Sequence, residues 1–154
     1  IKNSFERIYG ADCCPSIKPF QLIEFRDSGK DLDLFRCYIG IKSLIGQKVY
    51  VSTHKIVVLC RMLGCKSNES LQAFLKTNKD AREIYQRYSA RRQMNNLLYK
   101  LMERGFILML SKKHESRIYI TAKLKTPAEL VAAILKDREK NNLKKQLAEA
   151  SGLL

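Results

Sequence analysis

The sequence predicts a mainly α-helical protein that carries one small β-hairpin. Met94, Leu97, Leu98, Leu101 and Met102 fall at i, i+3, i+4, i+7 and i+8, the spacing of a single buried helical stripe. Gly105 closes that segment as a left-handed cap, and two short runs follow, 106–110 and 117–121, on either side of the polar tip Ser-Lys-Lys-His-Glu-Ser. Thr126-Pro127-Ala128-Glu129 then opens a further helix, with a capping threonine, a proline at the first helical position and a glutamate placed for a capping box.

Taken from its start, residues 1–10 read as a short amphipathic helix or an arm, and Pro15 and Pro19 mark 11–19 as a linker. Residues 20–25 read as a strand or the beginning of a helix, and Asp27-Ser28-Gly29-Lys30 as a turn. The apolar positions after Asp31 fit neither period cleanly; helix is favoured over 32–44, with a hairpin over 20–39 as the other reading. Residues 51–64 read as one helix capped by Ser52 or Thr53, with Ile56, Val57, Cys60 and Leu63 inward and Gly64 at its end. A second helix is expected from Asn68 through Leu71, Phe74 and Leu75. Asn78-Lys79 interrupts it, and Asp80 caps a further turn carrying Ile84, Tyr85 and Tyr88.

Ser89 reads as the N-cap of the helix with the buried stripe. Opposite that stripe lie Arg92, Asn95, Asn96, Tyr99 and Glu103, with Arg91 and Lys100 on the flanks. Positive charge in a first turn opposes the helix dipole, which points to an external anion. Two asparagines in mid-helix are poor helix formers, which points to a polar task on that face. In 117–121, Ile118 and Ile120 take one face and Arg117, Tyr119 and Thr121 the other.

Charge gives the broad class of partner. The net charge is +14, and residues 89–125 hold nine Lys/Arg against Glu103 and Glu115. An excess of that kind attracts a polyanion, nucleic acid ahead of an anionic membrane surface or an acidic protein. At 154 residues and 45% apolar, the chain is long enough for one domain with a sizeable core. No run approaches the roughly 18–20 apolar residues of a membrane span, and the first residues of the sequence show no signal-peptide pattern. Cys13, Cys14, Cys37, Cys60 and Cys65 are odd in number and irregular in spacing, as expected of free thiols in a reducing compartment, cytoplasmic or nucleoid-associated. They form no zinc-site spacing with His54 or His114, so neither metal nor other cofactor is expected. No motif of nucleophilic, phosphate-binding or metal-assisted catalysis occurs, and the expectation is a protein that is not an enzyme.

The stretch LLYKLMERGFILML…RIYITAK, with Arg104-Gly105-Phe106 at its turn, resembles the last helix and wing of a winged helix-turn-helix domain, and MarR-type regulators in particular. The resemblance implies an arm and linker over 1–19, a winged-helix domain over 20–125 and a terminal helix over 126–154 that pairs two copies into a dimer; the residues equally fit a terminal helix whose first half covers the core and whose Lys/Glu-rich second half is solvated. It implies a double-stranded DNA-binding regulator in which the first half of the recognition helix enters the major groove. Ser89, Arg91, Arg92, Asn95 and Asn96 would then lie nearest the bases, where arginine suits guanine and asparagine suits adenine. Tyr99 and Lys100 would meet sugar or phosphate, and Lys112, Lys113 and Arg117 would carry the wing to the minor groove or backbone. The chain departs from this pattern between Asn68 and Ser89, where an inserted helical turn is expected. Two further readings fit the same charge: a structural, replication or virion-assembly component that binds without reading sequence, and a protein-interaction module within a nucleoprotein complex.

Overall fold

The computed structural model describes residues 31–111 and 116–152. Readings that fall on 1–30, on the wing tip with Lys112 and Lys113, or on 153–154 lie outside the described residues. The described chain is mainly helical with one small three-stranded antiparallel sheet. In order, α1 is Leu32–Ile45, β1 Val51–His54, α2 Lys55–Met62, α3 Asn68–Thr77, α4 Lys79–Ser89, α5 Arg91–Glu103, β2 Leu108–Ser111, β3 Arg117–Thr121 and α6 Pro127–Ala150.

Helix α1 is the centre of the core, and its burial explains why its sequence fits no single period. Leu34, Phe35, Cys37, Tyr38, Ile39, Ile41 and Ile45 are all buried, so the helix is apolar on nearly every side. The hairpin reading of 20–39 is thereby overturned for the part described, since 32–39 is helix. Burial pushes the Cys37 thiol up to about 12, so it sits in the core as a neutral, unreactive small hydrophobe. Helix α2 crosses α1 at Gly40, close enough that a Cβ there would lie 2.7 Å from the Met62 backbone nitrogen.

Residues 51–64 are not one helix. Val51–His54 is a strand, and α2 begins only at Lys55, with His54 as N-cap. Pairing with β3 decides this, because Val51, Ser52, Thr53 and His54 lie opposite Ile120, Tyr119, Ile118 and Arg117. The inner face of α2 is accordingly Val58, Leu59 and Met62, with Cys60 beside them, whereas Ile56 is 52% exposed.

The expected interruption between Asn68 and Ser89 is a helix-helix joint. Asn78 ends α3 and caps α4, its side chain accepting from the Ala81 N–H at 3.0 Å, so the cap is Asn78 and not Asp80. Ser67 opens α3 with a reciprocal capping box to Ser70. Ser89 is likewise no N-cap: it is the last residue of α4, its hydroxyl donates to the Gln86 carbonyl, and Ala90 stands at the head of α5 without a side-chain cap.

Helix α5 ends as its glycine predicts. Gly105 has φ +77°, its N–H bonds the Met102 carbonyl, and the Phe106 N–H bonds the Leu101 carbonyl, the paired bonds of a Schellman cap. Gly105→Ala has open space for its methyl but not the backbone conformation, and a loss of about 1–2 kcal/mol is expected in a denaturant melt.

The sheet order is β1-β3-β2. Its Val51–Ile120–Met109 row faces the helical core, and the alternate Ser52–Tyr119–Leu110 row faces α6. Thr121, expected on the outer face, is fully buried: its hydroxyl donates to the Val49 carbonyl at 2.7 Å and accepts from the N–H groups of Lys123 and Leu124. Helix α6 starts at Thr126 with the expected cap to the Glu129 N–H, while the Glu129 carboxylate accepts from the Lys125 N–H. Only Leu130 and Ile134 of α6 are buried, and Arg138 donates to the Tyr119 hydroxyl at 3.1 Å. Val131, Leu135, Leu143 and Leu147 remain exposed.

Candidate nucleic-acid interface

Those of the expected site residues that are described lie at the end of α4, along α5 and at the start of β3, and not all of them point outward. Met94, Leu97, Leu98 and Leu101 are buried as the stripe requires, and Arg91, Arg92, Asn96, Tyr99 and Lys100 are exposed. Asn95 departs from the expectation. It is half-buried on the shoulder of α5, and its Oδ1 is buried with no hydrogen-bond partner among the described residues. At 100° per residue Asn95 falls nearer the Leu98–Met102 side than Asn96 does, which is why the two neighbours differ. The outward ridge of α5 is therefore Arg92, Asn96, Tyr99 and Glu103.

Two residues that periodicity missed complete this end of the protein. The register of β1 with β3 sets His54 opposite Arg117, where β3 leaves the wing tip, and Lys55 follows at once as the first residue of α2. Burial, and then the charge of Arg91, pull the Lys55 ammonium below the ordinary lysine range. The heads of α2 and α5 thus approach each other with like charges. Neither first turn contains an acidic residue and neither helix has a side-chain N-cap bond, so two sets of orphan N–H groups add to the same positive field. Among the described residues no carboxylate pairs with Lys55, Arg91, Arg92, Lys100 or Arg117.

The contrast with the rest of the surface is instructive. Arg36 and Arg87 are held by Asp33, and Arg104 by Asp31, at the head of α1. The cations of α5 before Arg104 have no such partner among the described residues. No family model, curated protein or solved structure matches this chain.

Chemically, this end of the protein can bind an extended anion. Lys55, Arg91 and Arg117 supply charge from three elements, and the Arg92–Asn96–Tyr99 ridge supplies directional hydrogen bonds and an exposed ring. Among the described residues there is no group of three or more His, Cys, Asp or Glu side chains placed to hold a metal ion. No described helix is long and apolar enough to cross a membrane. A second feature lies apart from this end: an open apolar groove of about 330 Å³ between the outer sheet face and α6, lined by Leu110, Ser111, Tyr119, Val131, Ile134, Leu135 and Arg138.

Proposed function

We propose that the protein is a winged helix-turn-helix binder of double-stranded DNA, with α5 as the helix laid against the major groove and β2–β3 as the wing. The observation that carries this reading is the convergence of Lys55, Arg91 and Arg117 beside the exposed Arg92–Asn96–Tyr99 ridge, without a pairing carboxylate among the described residues. A duplex presents regularly spaced phosphates flanking a groove about as wide as one helix, and this arrangement has cations at the flanks and hydrogen-bonding side chains on the ridge. The run of α5 through Gly105 directly into the β2–β3 hairpin supports the same layout. In this reading Arg92 and Asn96 meet base edges, and Tyr99, Lys100, Lys55 and Arg117 meet the backbone.

A regulator reads sequence, and the presence of Arg92 and Asn96 on the ridge favours that role over a structural binder. Selection of bound duplexes from a random pool is expected to enrich a preferred sequence. Arg92→Ala or Asn96→Ala should each lower the preference for it by about 1–3 kcal/mol while the protein melts as before. Even recovery of all sequences, unaffected by either change, would favour the structural component instead. The exposed Leu143 and Leu147 on the distal half of α6 support a homodimer through that helix, to be checked by sedimentation of the full chain.

A further inference from the structure

We infer that Asp31, the N-cap residue of α1, and Asp33 in its first turn are positioning residues that fix the tilt of α5 by gripping the chain just before it and just after it. The inference rests on the reading of α5 as the helix that meets DNA. Asp33 accepts from Arg36 at 2.8 Å within its own helix, and its second oxygen accepts from the Tyr88 hydroxyl and from Arg87 at 3.1 Å. Arg87 and Tyr88 belong to the last turn of α4, immediately before Ala90 and the start of α5. Asp31 takes the other end. Its two carboxylate oxygens accept from the two terminal nitrogens of Arg104, the C-cap of α5, at 3.0 and 3.2 Å.

One turn of the central helix thus holds both ends of a rod about 20 Å long. The apolar stripe of α5 keeps the rod against the core, but apolar contact is non-directional and tolerates sliding and tilt. A bidentate guanidinium-carboxylate pair does not, because it fixes a plane as well as a distance. The burial pattern agrees with this division. The Asp31 and Asp33 side chains are 16% and 15% exposed, whereas Arg104 and Arg87 reach in from the surface at 40% and 57%. The acids are the fixed partners, and their first-turn placement on α1 is favoured by the helix dipole.

Charge and positioning predict effects of opposite sign, which makes the inference testable. Neutralising a carboxylate near a polyanion site lowers repulsion, so on charge alone Asp33→Asn should tighten binding to every duplex. Loss of positioning should instead weaken binding to the preferred duplex alone. The experiment uses the full chain, wild type and two variants, Asp33→Asn and Arg104→Lys, the second keeping the charge but losing the fork and guarding against misfolding of the first. Affinities are measured for a duplex enriched by the wild type and for a mixed-sequence duplex across a salt series, together with amide hydrogen exchange.

The expected result is a fall of about tenfold in the ratio of the two affinities, the worth of about one base contact, with the salt slope unchanged and faster exchange confined to residues 88–104. An unchanged ratio with both affinities raised would overturn the positioning role. If the wild type enriches no duplex, the DNA reading itself fails. The exchange data then decide the positioning role alone: faster exchange over 88–104 in the Arg104→Lys chain supports it, and unaltered exchange overturns it.

Discussion

Replacing Gly40 with alanine is expected to destabilise the fold by about 1–3 kcal/mol, the usual cost of forcing one extra carbon into a packed core. On an open helix the same change would stabilise by about 1 kcal/mol, because glycine is a poor helix former. Here the added Cβ would stand 2.7 Å from the Met62 nitrogen and 3.0 Å from both the Arg61 carbonyl carbon and the Met62 Cα. These are backbone atoms of α2, so no rotamer change relieves the clash and the two helices must separate. Separation loosens the contact between Ile41, Val58, Leu59 and Met62, all buried to within 1% of completely. A urea titration of the variant checks the sign, and a stability equal to or above wild type would show that the α1–α2 crossing is looser than described.

The second large effect concerns binding. Lys55→Gln with Arg91→Gln is expected to flatten the dependence of log affinity on log salt by about 1.8, or 0.9 for each phosphate contact removed, and to weaken duplex binding roughly 30-fold at 0.15 M salt. The same pair should leave thermal stability equal or slightly higher, because the two charges disfavour each other in the free protein. Lys144→Gln with Lys145→Gln, on the distal half of α6, is the control and should change neither slope nor affinity appreciably. A matching loss in both double variants would mean that total charge, and not this end of the protein, binds the polyanion.

The fold was legible where local signals and tertiary packing agree. The α5 stripe, the Gly105 cap, β3 and the Thr126-Pro127 start of α6 each have a local cause and appear where the sequence puts them, whereas the first strand, expected over 106–110, is Leu108–Ser111 because Phe106 closes the helix cap. It was least legible where a partner distant in sequence decides. Ser52 and Thr53 are competent helix caps by type, and pairing with β3 makes Val51–His54 a strand instead. Helix α1 hides its period because it is buried all round. Ser89 is a competent cap by type, but α4 runs on through it and leaves Ala90 in that role.

The candidate site was legible in part for the same reasons. Helical spacing alone places Arg92, Asn96 and Tyr99 on an exposed face, and the structure keeps them there. Asn95 lies on the boundary of that face, where 100° of rotation separates an outward residue from a half-buried one. His54 and Lys55 were hidden because 51–64 read as one helix, which scatters them around a cylinder. The β-branched Val51 and Thr53, two residues apart on one strand face, were the available signal. Asp31 and Asp33 gave no signal of this role, since Arg87, Tyr88 and Arg104, unlike the local partner Arg36, lie 54 to 73 residues away.

The claim on which the account turns is that a duplex lies across the heads of α2 and α5. Lysine-acetylation footprinting of the full chain, with and without a mixed-sequence duplex at moderate salt, tests it most directly. Lys55 and Lys100 are expected to become protected while Lys48, Lys144 and Lys145 react as before; equal protection of all five, or protection of the last three alone, would place the duplex elsewhere or nowhere in particular.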